Sequence, residues 1–266
     1  MLSQDSAIGV FDSGIGGLTV LHSIIEALPK ENTVYLGDTA RSPYGTKSVD
    51  TVTRYSFENS HFLVEKGVKM VVVACNTSTA IALERLQADL ELPVIGVIGP
   101  GVRSAIATTR SKKIGVIGTE ATIQSGAYTR ALKAADPAVE VYSRACPLFV
   151  PLVEEGWTEN HVVEMTVQAY LESLKQSGID TLILGCTHYP LLKKAIRKFM
   201  RNGVRLVDSA EETAKEVVAM LKKNALAKKT GKGAHSFFVT DAPDRFIQVG
   251  RRFLGEKVES AVRIER

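Results

Sequence analysis

Residues 69–77 read KMVVVACNT, and residues 181–188 read TLILGCTH. In each segment an apolar run ends at a cysteine that is followed by polar residues. An apolar run of this length predicts a buried strand, and the polar residues after it predict a strand-to-helix junction. Ligands of parallel α/β folds bind beyond the carboxyl ends of the strands. Cys75 and Cys186 are therefore placed where chemistry is expected.

The same alternation of apolar runs and helical patterns continues along most of the chain. Strands are predicted over residues 7–11, 33–37, 69–74, 93–97, 113–117, 139–143, 181–184, 204–207 and 236–240. Helices are predicted over residues 17–28, 48–66, 76–91, 121–134, 159–177, 189–201 and 209–224. Strands that alternate with helices indicate βαβ units, so the fold class is α/β with parallel sheets covered on both faces.

Two pairs of junctions resemble each other at nearly equal spacing. Residues 9–13 (GVFDS) resemble residues 115–119 (GVIGT), 106 positions later, and residues 74–77 (ACNT) resemble residues 185–188 (GCTH), 111 positions later. We expect two pseudo-symmetric α/β domains, with the active site in the cleft between them. The first comprises residues 1–97 plus 208–266, with the C-terminal segment packed back on it, and the second comprises 98–207. The boundary is placed at residues 96–101, where Gly and Pro break both periodicities.

Composition limits the classes of protein that fit. The chain has 266 residues, 45% of them apolar, which suffices for one large core or two smaller ones. No apolar run approaches the roughly 20 residues of a membrane span, and the polar residues 2–5 do not suit a signal peptide. We therefore expect a cytoplasmic protein. Three cysteines without a Cys-x-x-Cys pair argue against a disulfide framework or a zinc site, and they leave a reactive thiol open.

Positive charge is concentrated in two places. The net charge is only +4, too little to suggest a dedicated nucleic-acid binder. Basic residues of 193–201 share one helical face, which is interpreted as a solvated surface. Five lysines within residues 222–232, a stretch interrupted by Gly231, predict a mobile basic loop.

The two cysteines at equivalent junctions are the first candidates for chemistry. A thiol at a helix N-terminus is expected to have a lowered pKa, which favours the thiolate. Cys146, which precedes Pro147 in an irregular stretch, is assigned a structural role. The glycines of residues 12–17 (DSGIGG) are expected to bring backbone amides close to an anionic group such as a carboxylate. Asp38 follows another predicted strand, and either a functional carboxylate or a plain loop residue fits it.

Four segments together resemble the bacterial glutamate racemases, a branch of the aspartate/glutamate racemase superfamily. They are residues 12–17 (DSGIGG), 43–45 (PYG), 74–77 (ACNT) and 185–188 (GCTH). The resemblance covers nearly the whole chain. It implies an isomerase that interconverts L- and D-glutamate and supplies D-glutamate for peptidoglycan synthesis. The substrate-binding residues that it implies are Asp12, Ser13, Tyr44, Gly45, Asn76, Thr77, Thr119, Thr122, Thr187 and His188.

The resemblance also implies a two-base mechanism. Cys75 acts on D-glutamate and Cys186 on L-glutamate, one thiolate removing the Cα proton while the opposite thiol donates one. Asp12 is the expected assistant of Cys75. His188 is the expected assistant of Cys186, because a histidine with a pKa near 6.5 exchanges protons readily at neutral pH.

Relatives of this family carry a further glutamate near the second cysteine, for which Glu154 is favoured and Glu155 stays open. No pyridoxal lysine motif, metal cluster or dinucleotide fingerprint is evident in the sequence, so we expect no cofactor and no metal. The expected partner is a small molecule, with neither membrane nor nucleic acid, and a homodimer is one possible assembly. Two alternatives remain: a racemase of aspartate or another acidic amino acid, and a non-catalytic interaction protein that uses the basic segment.

Overall fold

A fully buried strand, Ile8–Asp12, lies inside the first of two parallel sheets. The structure is a computed structural model that describes residues 3–201 and 203–265. The strands of the described residues are β1 (Ile8–Asp12), β2 (Thr33–Gly37), β3 (Met70–Val73), β4 (Val94–Gly96), β5 (Lys113–Gly118), β6 (Glu140–Ala145), β7 (Thr181–Gly185), β8 (Arg205–Asp208), β9 (His235–Val239) and β10 (Val262–Arg263). The predicted α/β class with parallel sheets is confirmed.

Four neighbouring strands of the first sheet follow the same order as the four strands of the second sheet. The first runs β10-β9-β2-β1-β3-β4 and the second β6-β5-β7-β8, and every pair is parallel. Strands β2-β1-β3-β4 thus correspond to β6-β5-β7-β8, which confirms the prediction of two pseudo-symmetric units. Cys75 follows β3 and Cys186 follows β7, so the two cysteines occupy equivalent places.

Helices cover both faces of each sheet, as burial of parallel strands requires. They are α1 (Leu18–Ala27), α2 (Val49–Glu65), α3 (Asn76–Asp89), α4 (Ile98–Thr108), α5 (Glu120–Gln124), α6 (Ala127–Ala135), α7 (Phe149–Glu154), α8 (His161–Gln176), α9 (Lys193–Met200), α10 (Ser209–Lys223) and α11 (Pro243–Leu254). None of the helices in the described ranges combines the length and apolar content that a membrane crossing requires.

The chain crosses between the sheets twice. Helix α4 leads from β4 to β5, and α10 leads from β8 back to β9, which pairs with β2. Helix α10 packs against α1 and α4 and so contacts both units. The domain limits at residues 97 and 207 stay a prediction. Residues 1, 2, 202 and 266, which fall within the predicted domains, lie outside the described part of the chain.

Several elements differ from the sequence-based expectation. Residues 96–101 were expected to break both periodicities, yet α4 begins at Ile98 and continues through Pro100, which is tolerated because the first helical turn needs no N–H from it. The helix predicted over 121–134 is two helices, separated at Gly126, whose φ is 65°. Helix α11 and strand β10 were not predicted.

The basic segment begins in the last turn of α10 and continues as a loop over residues 224–234, which hydrogen-bonds to a buried ion pair. Lys69 and Glu31 are both buried and their charged groups lie 2.5 Å apart. Lys69 Nζ also donates to the carbonyl of Leu226 (2.9 Å), and Glu31 accepts from the backbone N–H of Lys228 (2.7 Å). Charged groups removed from water need such partners, so the ion pair and its hydrogen bonds hold residues 226–228 against the first unit.

Candidate active site

Cys75 lies between β3 and α3 as the N-cap residue of that helix. Its Sγ accepts a hydrogen bond from the backbone N–H of Ser78 (3.5 Å), and only 5% of the residue is exposed. Burial raises the pKa of the Cys75 thiol to about 11, and the nearby Asp12 adds to the rise, while hydrogen bonds from Ser78 and Ser13 oppose it. The expected lowering by the helix N-terminus is therefore outweighed, because removal from water disfavours the thiolate more strongly.

Cys186 follows β7 and has a different partner. Its Sγ lies 3.9 Å from Nδ1 of His188, and Nε2 of His188 lies 3.1 Å from a carboxylate oxygen of Glu154. Burial lowers the pKa of His188, but hydrogen bonds to Cys186 and Glu154 raise it overall to about 10. The imidazole is thus protonated at neutral pH, which differs from the expected titration near 6.5. A positive charge beside Sγ stabilises negative charge on that sulfur.

The structure distinguishes the two glutamates that the sequence left open. Glu154, in the last turn of α7, contacts His188. Burial raises its pKa, but the hydrogen bond to His188 and the positive charges of His188 and Arg245 together lower it overall. Glu155 is 67% exposed in its side chain and instead pairs with Arg245 at 3.5 Å. Only the first of the two is in a position to act on the imidazole.

Asp12 ends β1 and lies under the loop that starts α1. It is fully buried, and burial raises its pKa although the positive His188 opposes the rise. Its carboxylate accepts from the backbone N–H of Gly14 (3.0 Å) and from the hydroxyl of Thr187 at 3.4 Å. A Cβ on Gly16 would lie 2.4 Å from Oγ1 of Thr187. This glycine therefore permits close approach of the Cys186 loop. That the backbone amides of residues 12–17 also bind an anionic group stays a prediction.

Tyr44 and Gly45 begin a short 3-10 helix after β2. The Tyr44 hydroxyl donates to Asp38, which also accepts from Arg41, and Asn59 donates to the Tyr44 hydroxyl at 3.0 Å. A Cβ on Gly45 would lie 2.7 Å from that of Thr119. Asp38 is thus a structural carboxylate for this loop, and Gly45 lies where the two units approach each other.

Three threonine hydroxyls meet across the cleft. Thr77 Oγ1 lies 2.9 Å from that of Thr119 and 3.2 Å from that of Thr122, and the latter two are 2.9 Å apart. Thr77 belongs to α3 of the first unit, whereas Thr119 caps α5 of the second. The triangle links the halves, and its hydroxyls can instead hydrogen-bond a carboxylate.

These groups enclose a cavity of about 30 Å³. The sequence-predicted residues that line it are Ser13, Tyr44, Gly45, Cys75, Asn76, Thr77, Thr119, Cys186, Thr187 and His188. Asp12 and Thr122 lie behind this lining, and Glu154 lies behind His188 and lines a neighbouring cleft of about 450 Å³. Ser42 and Val150 also line the cavity. Sequence reasoning missed both, because Val150 resembles any apolar helix residue and Ser42 is notable only through the Pro-Tyr-Gly segment after it.

Cys146 lies outside this lining. It is fully buried, its Sγ donates to the carbonyl of Arg144 at 3.7 Å, and burial raises its pKa. Its own carbonyl accepts from the hydroxyl of Tyr189 (2.9 Å). Its surroundings are those of a packed core thiol, in keeping with the structural role expected from the sequence.

Two parallel α/β units with paired cysteine junctions define the class of racemases that the sequence resembles. The family described as Asp/Glu/Hydantoin racemase matches residues 8–217. The glutamate racemase of Geobacter metallireducens is 59% identical over 95% of this chain and 94% of its own length, and that of Aquifex aeolicus is 50% identical over 97% and 98%.

Solved structures agree with these matches. A glutamate racemase isoform from Bacillus anthracis has a TM-score of 0.95 at 44% identity and covers 98% of each chain. The glutamate racemase of Francisella tularensis, in complex with D-glutamate, has a TM-score of 0.92 at 39% identity and the same coverage. The chain belongs to the Asp/Glu/hydantoin racemase family and, within it, to the glutamate racemases. The predicted family and enzyme class, an isomerase, are confirmed.

Proposed function

We propose that this protein interconverts L- and D-glutamate by two-base proton transfer, with Cys186 facing the α-proton of the L enantiomer and Cys75 that of the D enantiomer. The observation that carries the proposal is the cavity itself. It is lined by both cysteines, one from each unit, and each sulfur has its own polar partners. The high identity to glutamate racemases supports glutamate as the substrate.

The surroundings of the two sulfurs suit reaction from the L side. In the proposed step a thiolate of Cys186, beside the positive His188, removes the Cα proton and leaves an electron pair on carbon. The pKa of Cys75, raised to about 11, keeps its sulfur protonated near neutral pH, so it donates its proton to the opposite face. The products are D-glutamate, a thiol at Cys186 and a thiolate at Cys75. The reverse reaction begins from that second state.

When D-glutamate binds an enzyme in which Cys75 is still protonated, Cys75 must first lose its proton, and the proposed acceptor is Asp12. It is the buried carboxylate whose charge acts on Cys75, and its pKa is raised. A carboxyl group with a raised pKa takes up a proton more readily than an exposed one. Asp12 therefore serves as the proton acceptor when Cys75 is converted to the thiolate for D-glutamate.

Substrate binding requires the halves to separate and close again. A cavity of about 30 Å³ has space for only one or two water molecules. The hydroxyls of Thr77, Thr119 and Thr122 then exchange their mutual hydrogen bonds for bonds to a carboxylate. Closure removes water from the reacting carbon, where hydrogen-bond donors oppose charge accumulation most effectively.

The test follows hydrogen at Cα in deuterated water. If two sulfurs act from opposite faces, L-glutamate gives D-glutamate that carries deuterium, while the L-glutamate recovered at low conversion keeps protium. Starting from D-glutamate gives the mirror result. Mass spectrometry of the separated enantiomers distinguishes this from one mobile base, which labels recovered substrate as fast as product. Equal early labelling of both enantiomers rules out the two-cysteine mechanism.

The preference for glutamate over aspartate needs its own assay. One methylene in a pocket changes binding of the transition state by roughly 1–3 kcal/mol. Parallel turnover assays with both enantiomers of each acid measure this ratio directly, and a higher kcat/KM for aspartate contradicts the proposed substrate.

The proposed cellular role is supply of D-glutamate for peptidoglycan synthesis in the cytoplasm. All three cysteines are free thiols, which suits a reducing compartment. A candidate surface for the homodimer is the apolar groove lined by the exposed side chains of Leu148, Trp157 and Val162, because contiguous exposed apolar side chains mark association sites. Sedimentation of the wild type and Trp157→Glu tests this assembly.

A further inference from the structure

The first residue of α3, Asn76, follows Cys75 in the chain, lines the same cavity and is 3% exposed. Its Oδ1 accepts a hydrogen bond from the hydroxyl of Tyr128 at 2.7 Å. Its Nδ2 is buried and finds no acceptor among the described residues. Buried donors are normally paired. An amide left in this state beside the cavity is suited to an acceptor oxygen that arrives with a ligand.

Tyr128 reaches Asn76 from the other unit. It belongs to α6, is 2% exposed, and packs in the core of the second sheet. A Cβ on Gly185 would lie 3.0 Å from the Tyr128 ring, so the ring rests against the residue that precedes Cys186. One side chain thus contacts the segments that carry both cysteines.

The direction of the Tyr128 hydrogen bond determines which end of the amide faces the cavity. A tyrosine hydroxyl has a single proton to donate. Donation of that proton to Oδ1 keeps the amide oxygen away from the cavity and leaves the NH₂ group for a ligand. The reversed amide would place an oxygen against a carboxylate, which it repels.

We propose that Tyr128 is a positioning residue that orients the Asn76 amide toward the substrate carboxylate and makes this orientation depend on the closed arrangement of the two units. The proposal rests on the proposed function, because it requires an amino-acid substrate in the cavity. The hydrogen bond from Tyr128 to Asn76 joins α6 of the second unit to the N-terminus of α3 in the first. Opening of the cleft separates Tyr128 from Asn76 and releases the amide.

The first measurement is steady-state kinetics of Tyr128→Phe with both enantiomers. Phenylalanine retains the ring against Gly185 and removes only the hydroxyl. KM for both enantiomers rises about tenfold, because a misoriented amide loses its hydrogen bond to a charged group. The kcat value changes less, since both sulfurs keep their partners and a change confined to KM marks lost binding. Tyr142→Phe, which removes a hydroxyl bonded to Glu140 at the surface, is the matched control and leaves KM unchanged.

A double-mutant cycle with Asn76→Ala separates positioning from packing. If Tyr128 acts through the amide, Tyr128→Phe has no further effect on KM in the Asn76→Ala background. Equal effects in the two backgrounds, or a lowered melting temperature with unchanged KM, overturn the proposal.

The proposed function and this inference fail in different ways. Absence of wild-type turnover with glutamate contradicts the proposed function. The side-chain amide signals of Asn76, assigned by their loss in Asn76→Ala, report orientation without turnover. These signals shift on addition of D-glutamate to the wild type, and in Tyr128→Phe they differ from the wild type before glutamate is added. Identical signals in the two proteins refute the positioning role.

Discussion

Replacement of Glu154 by glutamine isolates the electrostatic effect of its carboxylate on His188. Glutamine has nearly the same shape, and its amide oxygen can still accept from Nε2, now 3.1 Å from the carboxylate. What is lost is one negative charge. An opposite charge at this range changes a pKa by about 1–3 units, which corresponds to about 1.4–4 kcal/mol. We therefore expect the pKa of His188 to fall from about 10 by that amount.

The direction in which stability and activity change with pH follows from the raised pKa of His188. A histidine whose folded pKa exceeds its unfolded value near 6.5 stabilises the fold fully below that value, and the contribution disappears as the pH rises through about 10. Activity toward L-glutamate that depends on protonated His188 is lost over the same upper range. In Glu154→Gln both losses move to lower pH by about 1–3 units.

The assay is the pH dependence of kcat/KM for L-glutamate, paired with an NMR titration of the His188 ring. Glu155→Gln is the matched control, because this neighbouring carboxylate is largely exposed and pairs with Arg245 instead. In Glu155→Gln the alkaline limb of the pH profile of kcat/KM coincides with that of the wild type. An unchanged limb in Glu154→Gln, or a shift of equal size in both variants, refutes the assignment of Glu154 to His188.

Three further predictions concern the thiols, the cofactor and the basic segment. Cys75→Ser and Cys186→Ser each reduce racemisation about 10²–10⁴-fold, because a serine hydroxyl is a far weaker acid than a thiol, whereas Cys146→Ser retains the rate in a polarimetric assay. Dialysis against a chelator leaves the rate unchanged, and recovery only on addition of a metal or pyridoxal phosphate contradicts cofactor independence. Lys69→Met leaves Glu31 buried without its partner and lowers the free energy of unfolding in urea by about 3–5 kcal/mol; a loss below 1 kcal/mol shows that the pair is dispensable.

Much of the fold follows from patterns that are local in the sequence. Short apolar runs rich in valine, such as residues 70–73, favour buried strands, and alternation with amphipathic segments favours a parallel sheet covered by helices. Helix α4 and the division at Gly126 were not predicted. Proline and glycine have several uses, and only the surrounding packing shows whether a helix continues through them.

The sequence determined by itself that Cys75 and Cys186 occupy equivalent junctions, since burial of apolar strands fixes where each chain segment emerges from its sheet. Tertiary structure alone decided what surrounds them. The contact of Glu154 with His188 and that of Tyr128 with Asn76 join residues far apart in the chain. Protonation is likewise a tertiary property: removal from water raises the pKa of Cys75 to about 11, whereas its position at a helix N-terminus had predicted the opposite. Periodicity encodes which face of an element is buried, but the depth of burial and the neighbouring charges exist only once the two units pack together.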